Sequence, residues 1–208
     1  MNKRFYPNDY MRWNIYEKIS KFLKLSGQKE ILDAGCGQGI LSKYLERERE
    51  IKLYGIDFNQ KSIEIAKGEN YEEVILEDIH NISYPDKKFD KSICIEVFQY
   101  LQNPMKAFEE LMRVTKEEII IGVPNYNCIG IRSILFKKWR KPFFETLNKT
   151  YFPTNKEFLE KKKKKYNIKL EVKYISARFG FIRNLIGNIL ASEVVGIYKL
   201  QQENYNQI

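Results

Sequence analysis

At 208 residues with 43% hydrophobic content, the chain is long enough for one sizeable core, and residues 1–208 are read as a single domain. No apolar run of about 18 residues occurs, and the basic start Met1-Asn2-Lys3-Arg4 leads into no apolar signal segment, so a cytoplasmic protein is expected. Three scattered cysteines (Cys36, Cys94, Cys128) and one histidine, His80, argue against a disulfide framework or a structural zinc site, and no metal is expected.

The net charge of +9 is uneven: residues 1–124 carry −2 and residues 125–208 carry +11. A basic C-terminal part suits an anionic partner such as a phosphorylated substrate, an acidic lipid surface or RNA, although the run Lys161 to Lys165 reads first as a solvated helix face.

Taken in chain order, Tyr10, Trp13, Ile15, Tyr16, Ile19, Phe22 and Leu23 recur at three and four, so a helix is predicted over residues 8–25, ending at Ser26-Gly27. Ile31-Leu32 then reads as the end of a buried strand, followed by Asp33 and by glycines at Gly35, Gly37 and Gly39. Ile40, Leu41, Tyr44 and Leu45 return to helical spacing, so the glycines sit at a strand-to-helix turn, where they permit positive φ and close approach of a ligand. A dinucleotide fingerprint would want a glycine at the sixth place from Gly35, which is Ile40. Asp33 is a further mark against a pyrophosphate and in favour of a ligand carrying a cationic group.

Asp-x-Gly-x-Gly-x-Gly after a hydrophobic strand resembles motif I of the class I S-adenosylmethionine-dependent methyltransferases, of the quinone and small-molecule kind. That resemblance implies a Rossmann-like α/β fold: a seven-stranded, mostly parallel sheet with helices on both faces and an antiparallel last strand. It also implies S-adenosylmethionine as cofactor, and a leading helix that covers it, with Tyr10 and Trp13 as lid residues or core packing.

A second strand, Lys52 to Asp57, ends in an acid 20 residues beyond Gly37, where a carboxylate can accept both hydroxyls of a ribose. The resemblance assigns Asp57 that role and gives Phe58 the face of the adenine. After a helix over 62–67, Val74-Ile75-Leu76 is predicted as a third strand, and the family pattern carries Asp78 onto the adenine amino group and the backbone N–H of Ile79 onto the ring. Residues 91–95 form a predicted fourth strand, leading into Glu96-Val97-Phe98-Gln99-Tyr100 at its C-terminal edge, where open α/β sheets bind ligands. Glu96 and Tyr100 are the candidate catalytic residues there, with His80 behind them. Tyr100 stands where similar quinone and small-molecule methyltransferases often carry a histidine. Pro104 opens a predicted helix to Val114, Ile119 to Pro124 is a fifth strand, and a helix over 154–165 precedes last strands at 168–175 and 194–200.

Residues 125–153 form an insertion that the sheet does not need. Ile131, Ile134, Leu135, Trp139, Phe143 and Phe144 interleave with Arg132, Lys137, Lys138, Arg140 and Lys141. The pattern suits a lid, a peripheral membrane contact through 127–146, or RNA. RNA is the lesser reading, because the Asn/Asp-Pro-Pro-Tyr run of base-amine methyltransferases is absent after the fourth strand. The expected activity is O- or N-methylation of a small molecule or of an envelope sugar or lipid precursor. An RNA methyltransferase, a non-catalytic S-adenosylmethionine-binding regulatory module and an NAD-dependent enzyme are the rival readings.

Overall fold

The computed structural model describes residues 16, 18–21, 23, 29–45, 50–124, 168–175 and 193–200. Within them lie β1 (Lys29–Ala34), α1 (Ser42–Leu45), β2 (Ile51–Asp57), α2 (Gln60–Ala66), β3 (Glu73–Leu76), β4 (Phe89–Ile95), α3 (Pro104–Val114), β5 (Thr115–Pro124), β6 (Ile168–Ile175) and β7 (Glu193–Leu200). The described strands make one seven-stranded sheet in the order β3-β2-β1-β4-β5-β7-β6. Pairings from β3 through β5 are parallel, and β7 runs antiparallel to both β5 and β6. The chain therefore reverses its direction of travel across the sheet after β3, and the crevice at that switch point is where such sheets take ligands.

Alternation along the strands explains the layers. Leu32, Ala34, Cys94, Ile119 and Ile121 pack on one face with Phe108, Leu111 and Val114 of α3. Their sequence neighbours Ile31, Ile93, Ile95 and Ile120 pack on the other with Ile19, Leu23, Leu41 and Leu45. Period-two side-chain alternation in centrally placed parallel strands buries both sets. Helices lie on both faces, as the sequence implies.

The helix ends follow local chemistry. Asn59 Oδ1 accepts the N–H groups of Lys61 and Ser62 to start α2, and Asn103 Oδ1 accepts that of Lys106 to start α3 behind Pro104. The fifth strand begins earlier than the apolar run Ile119 to Ile121 indicates, at Thr115, because Thr115 is buried and its hydroxyl meets Ser92 Oγ at 2.6 Å. Helix α1 is described over Ser42–Leu45 only, and the predicted helix over 154–165, the insertion at 125–153, and Tyr10 and Trp13 lie outside the described residues.

Arg113 fixes the long β3–β4 connection to α3. Its guanidinium donates to the carbonyls of Ile82 and Tyr84 and to the carboxylates of Glu110 and Asp86, while Glu110 accepts the N–H of Ile82. The loop that carries Asp78 and Ile79 toward the crevice is held at its far end by this cluster.

Candidate active site

A crevice of about 740 Å³ opens over the C-terminal ends of β1 to β4. The three glycines of the β1–α1 turn take φ of 80°, 54° and 81° at Gly35, Gly37 and Gly39, all in the left-handed region. Each is needed differently. A Cβ on Gly35 would lie 2.3 Å from Val97 Cγ2, and one on Gly39 would lie 3.0 Å from Glu69 Cγ and 3.1 Å from Tyr71 Cε2. At Gly37 nothing comes within 4 Å, so this glycine leaves open space. Gly35 and Gly37 line the crevice; Gly39, expected from the motif to touch the ligand, packs against Glu69 and Tyr71 and is not among the described lining residues.

Asp57 closes the turn from the next strand. Its Oδ2 accepts the N–H of Gly37 at 2.9 Å and its Oδ1 that of Asn59 at 2.8 Å. Each carboxylate oxygen keeps acceptor capacity toward the crevice, since an ionised carboxylate offers about four lone-pair sites. Phe58, 83% exposed, stands at the mouth. Asp78, Ile79 and His80 line the wall beyond β3. Asp78 Oδ1 accepts both the backbone N–H of His80 at 2.9 Å and its ring Nδ1 at 2.7 Å. The first of these bonds chiefly holds the Asp78 carboxyl below its ordinary range.

Glu96 follows β4 with φ 61°, one of two described non-glycine residues at positive φ. The chain is held there because the Glu96 N–H donates to the Gly122 carbonyl at 2.9 Å, and its Oε2 accepts from Gln99 Nε2 at 3.1 Å. Tyr100, 74% exposed, ends the 3-10 turn Phe98–Tyr100, and it lines the crevice together with Glu96, Leu101 and Gln102. The structure thus gathers Gly35, Gly37, Asp57, Phe58, Asp78, Ile79, Glu96 and Tyr100 around one cavity.

Asp33 requires a correction. The sequence suggests a carboxylate that faces the ligand, but Asp33 is 4% exposed and lies behind the turn, off the crevice wall. Its Oδ2 accepts from Tyr71 Oη at 2.7 Å. Burial, with the neighbouring Asp57 charge adding to it and the Tyr71 hydroxyl opposing it, pushes the Asp33 carboxyl up to about 7. Burial also raises the thiols of Cys36 and Cys94, so neither is a thiolate nucleophile.

Sequence reasoning missed Tyr71 and the roof residue Tyr16, which stacks on Tyr44 at 6.0 Å between centroids and lines the crevice. Tyr16 stood in the predicted leading helix, so only its facing was unknown. Tyr71 meets a residue 38 positions away and carries no local signal.

S-adenosylmethionine fits these residues. Gly37 leaves open space where a backbone must be approached, Asp57 presents spare acceptors beside it, and the exposed Phe58 flanks the cavity.

The comparisons with known proteins agree. The family described as "Methyltransferase domain" matches residues 32–121. The chain is 31% identical over 125 residues to the mitochondrial ubiquinone biosynthesis O-methyltransferase of Dictyostelium discoideum, covering 50% of this chain and 38% of that protein. It is 29% identical over 120 residues to norajmaline N-methyltransferase of Rauvolfia serpentina, covering 54% of this chain and 39% of that protein. The chain thus matches less than half the length of these relatives. In fold it is similar to the plantazolicin methyltransferase BamL in complex with a triazolic desmethylPZN analog and SAH, with a TM-score of 0.68 and 22% identity, covering 94% of this chain and 88% of that one. From the glycine turn, the acids ending successive strands, the sheet order and these matches, residues 32–121 match the methyltransferase-domain family and share its fold, and the crevice they form fits S-adenosylmethionine.

Proposed function

We propose that this chain methylates a hydroxyl or amine of a small molecule, and that residues 1–208 act as one domain in doing so. The observation that carries the reading is the continuity of the cavity. One crevice of about 740 Å³ runs from Asp57 and Asp78 to the rim of Glu96, Tyr100, Leu101 and Gln102. Its volume is in the range of sites for cofactors and small ligands.

Asp57 accepts the ribose hydroxyls, Asp78 and the Ile79 N–H meet the adenine, Phe58 covers its face, and Gly35 and Gly37 let the backbone come close. The cofactor supplies an electrophilic methyl group on a sulfonium. Transfer then needs the acceptor atom aligned in line with it, so catalysis rests chiefly on proximity and orientation. Glu96, aimed by its left-handed backbone and by Gln99, takes the proton when the acceptor must lose one, and Tyr100 places the acceptor at the rim. The relatives' names include both an O- and an N-methyltransferase, which supports either acceptor atom for this chain.

An envelope sugar or lipid precursor falls within the same reading, with the basic and aromatic residues of 127–146 meeting its phosphate or a membrane surface. Among the described residues no helix is long and apolar enough to cross a membrane.

The test is transfer of a labelled methyl group from S-adenosylmethionine across a panel of phenols, catechols, amines, a polyprenyl-phosphate sugar and mixed RNA. Labelling of a small acceptor that is lost in Glu96→Gln with cofactor binding kept supports the reading. Labelling of RNA alone, or tight cofactor binding with no transfer to any member, overturns it.

A further inference from the structure

His80, the single histidine of the chain, follows Asp78 and Ile79 on the crevice wall, and its side chain is 20% exposed. Its ring Nδ1 lies 2.7 Å from Asp78 Oδ1, which also accepts the His80 backbone N–H at 2.9 Å. The far ring nitrogen, Nε2, is closed to water and has no hydrogen-bond partner among the described residues. Native proteins pair nearly all such atoms, because a buried polar group that has given up water and gained nothing in return is costly.

Asp78 decides what Nε2 can do. Its carboxyl is held below its ordinary range, chiefly by the His80 backbone N–H, so it is ionised and can only accept. The ring proton of the neutral imidazole therefore sits on Nδ1, which leaves Nε2 as a lone-pair acceptor. Glu77 stands on the same wall in a similar state: its Oε1 takes the N–H of Ser83 at 2.8 Å, and its Oε2 is a buried acceptor with no partner among the described residues. Acceptors of this kind are completed by a ligand group that donates.

We propose that His80 reads the base of the cofactor: its Nε2 accepts a hydrogen of the adenine 6-amino group and so selects a 6-amino purine over a 6-oxo one. The inference rests on the reading above that lays the adenine along Asp78 and Ile79, and it deepens that reading by naming the side chain that tells the base from its deaminated form. In a 6-oxo purine a carbonyl oxygen replaces the amino group, and Nε2 then meets a second acceptor. A site built around a donated hydrogen rejects an analogue that lacks it. Nε2 is covered before the base arrives, so seating the cofactor changes the surroundings of the ring as well as its hydrogen bonding.

The experiment is calorimetric titration of the full chain with S-adenosylhomocysteine and with its 6-oxo analogue, S-inosylhomocysteine, at pH 8. It is run on the native chain, His80→Leu and His80→Gln, and joined to nitrogen-15 spectra of the native chain labelled at histidine, where a single residue supplies both ring signals. The free chain is expected to show the proton on Nδ1 and a bare Nε2. S-adenosylhomocysteine then moves the Nε2 signal in the direction of an accepted hydrogen bond, and S-inosylhomocysteine does not. Preference for the 6-amino ligand falls about tenfold in His80→Leu, and His80→Gln, whose amide oxygen can accept, recovers part of it. An unchanged preference in folded His80→Leu, a proton on Nε2 in the free chain, or an Nε2 signal that S-adenosylhomocysteine leaves in place overturns the proposal while the cofactor reading stands. If His80→Leu does not fold, the spectra of the native chain decide the matter. Failure of both ligands to bind the native chain overturns the cofactor reading and this inference with it.

Discussion

Asp57 Oδ2 accepts the backbone N–H of Gly37 at 2.9 Å, joining the end of β2 to the middle of the β1–α1 turn across 20 residues of sequence. The same side chain therefore shapes the glycine cradle and offers acceptors to whatever lies in it. Asp57→Ala removes both, and S-adenosylhomocysteine affinity is expected to fall at least tenfold, about 1.4 kcal/mol, by calorimetry. Asp57→Asn can keep one acceptor toward Gly37 and is expected to lose less. Equal affinity in Asp57→Ala and the native chain would show that the ribose is held elsewhere.

The glycines separate fold from ligand binding. Gly35→Ala must place a methyl group 2.3 Å from Val97 Cγ2 while keeping φ at 80°, so it is expected to destabilise the protein by about 2–4 kcal/mol. Gly37→Ala meets no protein atom within 4 Å and bears only the left-handed backbone cost, about 1 kcal/mol. Its methyl group instead enters the open space beside the turn, which lines the crevice. Thermal melting is expected to show Gly35→Ala badly weakened and Gly37→Ala nearly native, with cofactor affinity reduced roughly tenfold or more in the latter.

Much of this site is legible in the sequence because it is built from strand ends. A buried run followed by an acid or a glycine marks the point where β1, β2, β3 and β4 stop, and parallel strands bring those points to one edge whatever the loops between them do. Asp57, Glu96 and the glycines are placed by that logic, and Asp78 by the family pattern that the sequence resembles. What it cannot give is the direction of a side chain that can turn inward. Asp33 lies two residues before Gly35 and its carboxylate meets Tyr71, and that partner comes from the connection between α2 and β3, where no periodicity announces it. Gly39 likewise looks like part of the cradle, but the space it leaves is filled by Glu69 and Tyr71. The start of β5 at Thr115 depends on a buried hydroxyl pair with Ser92, which hydrophobic patterning does not encode.

Glu96 holds a left-handed backbone that costs a non-glycine residue about 1–2 kcal/mol. Glu96→Gly relieves this conformation, and the gain is offset in part by the greater freedom of glycine in the unfolded chain. The melting temperature is therefore expected to hold or rise slightly. Turnover of an acceptor that must lose a proton is expected to fall about 100-fold or more, while Glu96→Gln loses turnover with the strain unchanged. Activity retained in both variants would remove Glu96 from the proton path and leave orientation as its whole contribution.

Asp33 also sets a pH dependence on stability, and its sign is opposite to that of most native carboxylates. Its folded-state value of about 7 lies above the ordinary 3.8, so the folded state binds a proton that the unfolded chain gives up. The stability tied to that proton is complete below about pH 3.8 and is lost progressively as pH rises through about 7. Asp33→Asn lacks the titration. Its stability relative to the native chain, from urea unfolding, is expected to improve by roughly 2 kcal/mol on going from pH 5 to pH 8. An Asp33→Asn difference that stays flat across this range would mean that Asp33 is ionised in the empty crevice despite its burial.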